Sequence, residues 1–286
     1  MNAPTSLRIC YLVCSAALLA LPLRAHAQRT DDSSATAPAP ATTRESMSDA
    51  RWTGPMLAPS AATLPRGHIL VEPYLFDVVS NHTHSFGSLT YALFGVTDKL
   101  TMGFIPTAGF NVVRGGPNSG GIGFGDLTAV AQYSLTRFRE GRWVPATAIV
   151  LEETFPTGKF DQLGDRPSDG FGGGAYTTLI GLYSQKYFWL PNGRILRARL
   201  DVTHTFSTDA TVRDVSAYGT ATGFRGRASP GNTSFIDAAA EYSLTRSWVL
   251  ALDVTYRHGA MTSVSGYDIL DPPGTPRPSI QYGAGP

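Results

Sequence analysis

Residues 122–155 decide the fold: IGFGDLTAVAQYSLT (122–136), RFREGRW (137–143) and VPATAIVLEETF (144–155). From Asp126 the first part alternates. Asp126, Thr128, Val130, Gln132 and Ser134 fall on one face; Leu127, Ala129, Ala131, Tyr133 and Leu135 fall on the other. Successive side chains of a strand point to opposite faces, so a period of two marks a two-sided strand. The charged segment 137–142 turns the chain back into a second apolar run. The pattern predicts a hairpin with strands of about ten residues or more, the length that crosses a bilayer at a tilt.

Working outward, the pattern recurs. Apolar or alternating runs cover 68–80, 86–95, 100–110, 173–189, 196–206, 233–244 and 248–257. In 196–206, Leu196, Ala198, Leu200, Val202 and Phe206 oppose Arg197, Arg199, Asp201, Thr203 and Thr205. The connections alternate in length. Those at 96–99, 137–142, 191–193 and 245–247 are short; those at 111–121, 156–172, 208–231 and 260–278 are long and polar. The apolar face carries aromatics near strand ends, at Tyr133, Tyr242, Trp248 and Tyr256. Short turns at one end, long loops at the other, an apolar outer face and aromatic girdles are the marks of a transmembrane β-barrel. A soluble sandwich also alternates but has no reason to gather its long loops at one end. In lipid an unpaired backbone group costs several kcal/mol, so strands span only as a closed barrel. The expected fold is therefore all-β, an antiparallel transmembrane barrel of about ten to twelve strands. The segments supply about nine strands and a stub at 279–286, whereas bacterial barrels close with an even number. The sequence thus reads as a barrel truncated at its C-terminus.

Residues 1–27 read as a signal peptide: Arg8, an apolar run at 9–23 and the Ala25-His26-Ala27 cleavage pattern. Its removal takes away both cysteines, Cys10 and Cys14, leaving no disulfide or Cys-ligated metal. It also takes Arg8 and Arg24, so 23 basic and 22 acidic residues become 21 and 22. Near neutrality gives no reason to expect a nucleic-acid partner. Residues 28–65, rich in Ala, Pro, Thr and Ser, read as a disordered leader whose role is a spacer. Residues 66–286 form the barrel domain.

GFGDLTAVAQYSLT (123–136), Pro156-Thr157-Gly158 after a strand, and GVTDKLTMGF (95–104) resemble the outer-membrane β-barrel family of transporters of the meta-pathway of phenol degradation. The resemblance runs from about residue 67 to the end. It implies uptake of small, often aromatic or hydrophobic compounds across the outer membrane. The terminal Gly-Pro departs from the aromatic last residue usual in such barrels.

The sequence offers little that could do chemistry. Gly121, Gly123 and Gly125 precede a strand, not the helix a phosphate loop needs. His82 and His84 with His68 lack a metal-site spacing. Glu152 and Glu153 diverge as strand neighbours, which rules out paired acid–base work. His204 and His258 have no evident serine partner. The chain is expected to be no enzyme and to need no cofactor or metal. What remains is the polar face: Asp126, Gln132, Arg197, Arg199, Asp201, Asp237, Glu241, Asp253 and Arg257 are expected to point into the lumen and line a substrate path. Their mixed signs argue against strong ion selectivity. The expected partners are outer-membrane lipid and a small solute. A structural or adhesive barrel and an exported β-sandwich remain the alternatives.

Overall fold

A computed structural model describes residues 44–47, 50, 52, 57–80 and 82–269. The expected signal peptide, the first part of the leader and the stub at 279–286 lie outside the described residues. Strands follow one another in hairpins: β1 (Ile69–Val79), β2 (Thr83–Thr97), β3 (Leu100–Ile105), β4 (Thr107–Val113), β5 (Gly123–Phe124), β6 (Leu127–Thr136), β7 (Ala146–Phe155), β8 (Thr177–Trp189) and β9 (Ile195–Ser207). They continue with β10 (Ala210–Arg213), β11 (Phe224–Ser229), β12 (Thr233–Ser243), β13 (Val249–Gly259) and β14 (Ser263–Asp268).

The main sheet runs β13-β12-β9-β8-β7-β6-β3-β2, with β1 beyond β2. Every pairing is antiparallel. The run expected at 100–110 is split at Pro106, which has no N–H to give the ladder. Its two halves, β3 and β4, pair in turn with β2 as one interrupted strand. Among the described residues the wall therefore has nine strands: β1, β2, β3 with β4, β6, β7, β8, β9, β12 and β13. Because direction reverses at each step, β1 and β13 run the same way, and their outer edges cannot make an antiparallel ladder with each other. The fold is all-β and antiparallel, a curled barrel wall.

Register assigns the faces. Leu151, Ile180 and Val202 lie on the convex face with Leu182, Leu200, Leu252 and Val254, and all are exposed. Among the described residues no second layer covers them. A soluble sandwich would bury this face against a partner sheet. An apolar surface this large is far beyond the isolated patches a soluble protein tolerates. The concave face is the reverse: its buried residues include Arg197, Arg199, Asp201, Asp237 and Glu241. Glu241, Asp201 and Asp237 are among the largest fully buried side chains of the protein.

Two of the polar loops expected, at 208–231 and in the described part of 260–278, are built into strands instead. β10, β11 and β14 form a separate three-stranded sheet. Val212, Phe224, Ala228 and Val264 make its apolar cluster, with Ala175 and Phe160 from the 156–176 connection packed against it. The few apolar residues of each loop are too sparse to show a period alone; they find one another across loops.

The candidate lumen and the segment inside it

The concave face holds a chain segment that the sequence reading assigned to a disordered spacer. The described part of 44–65 is instead tied to the wall, beginning at the short-turn end. The Glu45 amide donates to the Gly193 carbonyl at 2.9 Å, and the indole of Trp189 donates to the Glu45 carbonyl at 2.9 Å. The Glu45 carboxylate, 5% exposed, accepts from Ser243 at 2.7 Å and Arg194 at 3.4 Å. Arg44 lies 4.2 Å over the Trp189 ring and pairs with Glu140 at 2.6 Å.

Further in, Trp52 packs edge-on to Tyr187 at 5.8 Å, with the Arg197 guanidinium 4.7 Å over its ring. The Ala58 carbonyl accepts from Arg199, and its amide donates to Asp253 at 3.4 Å. The Ser60 hydroxyl donates to Gln185 at 3.2 Å, and the Ser60 carbonyl accepts from Gln132 at 2.9 Å. The segment returns to the short-turn end through Leu64, whose amide donates to Thr101 at 2.8 Å, and Arg66, whose amide donates to Asp98 at 3.1 Å. Arg199 stands four residues into β9, so the segment reaches roughly 13 Å along the strands. A cavity of about 340 Å³ remains between it and the wall, lined by Met47, Ala62, Asp98, Arg137, Phe138 and Tyr187. The correction has a physical reason. Small residues leave backbone N–H and C=O groups accessible, and these satisfy wall side chains that would otherwise be buried without partners. Composition records the small residues but not the surface that receives them.

Of the nine sequence-predicted residues, seven fall into three groups. Gln132, Arg199 and Asp253 hold the segment. Arg197 and Glu241 form a buried two-pronged ion pair, and Arg199 approaches the same carboxylate at 3.7 Å. Asp201 and Asp237 face each other across β9 and β12. Arg257 stands three places beyond Val254 on β13, on the Asp253 face. Asp126 does something else: it sits at the long-loop rim, where Oδ1 accepts from the Gly158 amide and Oδ2 from the Gly173 amide, both at 2.8 Å. Thr157 accepts from the Leu127 amide at 2.9 Å. The G-x-G-D and P-T-G segments, distant in sequence, are thus one clamp. Gly158 is required there, because a Cβ would lie 2.8 Å from both Gly125 and Gly172 backbone atoms.

Two features, the strap residues and the His204 partner, escaped the sequence reading. Glu45, Trp52 and Ser60 carry no periodic signal. Glu152 lies on the concave face, as alternation predicts, in register with Val130 and Leu179. His204 does have a serine partner. Ser234 is directly opposite on β12, with Oγ 2.8 Å from Nδ1. The pair faces outward with Phe206 edge-on to the imidazole at 4.5 Å. Strand neighbours of different hairpins are invisible to local spacing.

At the loop sheet, Asp214 accepts from the Gly223 amide at 3.0 Å and from Arg225 at 3.2 Å. These bonds, the amide first, hold its carboxyl below the usual range.

An antiparallel barrel wall with its polar face inward defines a class of fold, that of the transmembrane β-barrel. Among solved structures, the chain is similar to an outer membrane channel of Pseudomonas putida F1: TM-score 0.54, 16% identity, covering 71% of this chain and 77% of that one. At that identity the likeness carries the fold. No protein-family model matches the sequence, and no curated protein does.

Proposed function

We propose that the protein is an outer-membrane channel for small solutes, aromatic and hydrophobic ones among them, and that the described residues of 44–66 act as an internal strap restricting its lumen. The observation that carries this reading is the inversion of polarity, an uncovered apolar convex face around a concave face of buried charge. The structural neighbour is itself an outer membrane channel, and the phenol-pathway resemblance supplies the solute class. Export through cleavage after Ala27 completes the proposal.

The experiment is conductance in planar bilayers and liposome uptake of phenol against a sugar of similar size. The full chain is compared with Gln132→Ala and with a variant lacking 44–64. Stepwise conductance that rises when the strap is released, with phenol entering faster than the sugar, supports the reading. Membrane insertion without flux in any variant would contradict it. That result would favour a structural barrel, the reading that a strapped lumen itself suggests.

A further inference from the structure

The mixed signs of the concave face do not cancel locally. Arg197 is committed to Glu241, and Arg199 to the Ala58 carbonyl and Glu241. Asp201 and Asp237, next on the same strands, make no ion pair among the described residues, and Arg199 acts on both only through space. Asp237 is 0% exposed and Asp201 is 2% exposed. Both Asp237 oxygens lack a hydrogen-bond partner among the described residues. Asp201 is approached by the Ser184 amide, short of hydrogen-bond geometry. The two carboxylates oppose each other in register, on adjacent strands of one face. Directly opposed side chains of an antiparallel pair have Cβ atoms about 5 Å apart. Two carboxylates so placed, away from water and without donors, repel one another unless a donor or positive charge lies between them. The nearest donor, Arg199, bonds the Ala58 carbonyl and approaches Glu241, and its Nε, though without a partner, makes no hydrogen bond to either carboxylate.

We propose that Asp201 and Asp237 form a binding site for a singly charged cationic group, either a monovalent metal ion or the ammonium of an organic solute. This deepens the channel reading and rests on it for its role: the site gives the lumen a preference for cations. Among the described residues, no three metal-ligating side chains converge, so a divalent cage is not what the geometry offers. Two carboxylates on a rigid sheet suit a weakly held ion or a protonated amine, which hydrogen-bonds to both. Ala58, held between Arg199 and Asp253 one register step nearer the short turns, links occupancy of the site to the strap.

The test is direct binding, so it does not depend on conduction. The full chain in detergent is unfolded in urea at equal ionic strength in potassium chloride, ethylammonium chloride or tetramethylammonium chloride. A ligand of the folded state raises the midpoint. The proposal expects a rise in potassium or in ethylammonium over the bulky tetramethylammonium control, which has no N–H to donate, and loss of that rise in Asp237→Asn. Whichever of the two raises the midpoint identifies the source of the positive charge. Asp237→Asn is expected to be more stable than the parent in the control salt, since one of two opposed charges is gone, so a folded variant is available for the comparison. Equal midpoints in all three salts, or a rise that survives Asp237→Asn, overturns the proposal. Absence of conductance in bilayers with the salt effect intact would sink the channel reading and leave the site.

Discussion

Asp126 illustrates how a residue's place differs from its face. Its side chain has the lumen parity, yet it is spent on two loop amides that fasten the 156–176 connection to the start of β6. Asp126→Ala removes both bonds and is expected to destabilise the protein by about 1–3 kcal/mol. Limited proteolysis checks this: cleavage between 158 and 173 should appear before any loss of the wall. Gly158→Ala should produce the same cleavage by another route, since its methyl group meets backbone on two sides. Glu241 teaches the complementary lesson. Its parity was legible, and its burial against Arg197 follows from cross-strand register between β9 and β12, which one sequence does not give.

The elements were legible in proportion to their regularity. β6, β9, β12 and β13 alternate over most of ten or more residues, β7 is a continuous apolar run, and each lies where its pattern placed it. β10, β11 and β14 are four to six residues long, and no period emerges from so few. The described part of the strap has no regular secondary structure to leave a pattern in the sequence, and most of its bonds are to the wall.

On β6, Ala131 lies between Met102 and Leu151 on the convex face, and Gln132 holds Ser60 on the concave one. Ala131→Arg is expected to cost roughly 2–4 kcal/mol in a bilayer, read as a lower midpoint for unfolding from vesicles. Gln132→Arg should leave that midpoint within about 1 kcal/mol while making the strap accessible to protease.

The loop sheet has its own acid response. Asp214 has a depressed pKa in the folded protein, against about 3.9 unfolded. Its contribution is therefore present above the unfolded value and lost as pH falls through the lower folded value. Amide exchange in β10 and β11 should accelerate below about pH 4. In Asp214→Asn, exchange should show no such acid step.

At the scale of the whole molecule, the protein is inside-out relative to a soluble β fold. Its concave face buries charged residues and its convex face exposes aliphatic ones. That inversion was readable from the sequence as alternation with long loops gathered at one end. What the sequence withheld was the content of the lumen, because nonlocal partners of buried polar groups leave no periodic trace. The inversion also distinguishes the barrel from the sandwich without reference to any relative, since a sandwich must cover the face that is bare here.

The most direct test is an accessibility scan of β6. Single cysteines are placed at 127 to 135, spin-labelled, and studied in lipid vesicles with oxygen and a water-soluble nickel complex as relaxing agents. Labels at Leu127, Ala129, Ala131, Tyr133 and Leu135 should meet oxygen in the bilayer. Labels at Thr128, Val130, Gln132 and Ser134 should not, giving a period of two along the strand. Uniform access of the nickel complex to the odd-numbered positions would mean that the apolar face does not meet lipid, and the account would fail at its centre.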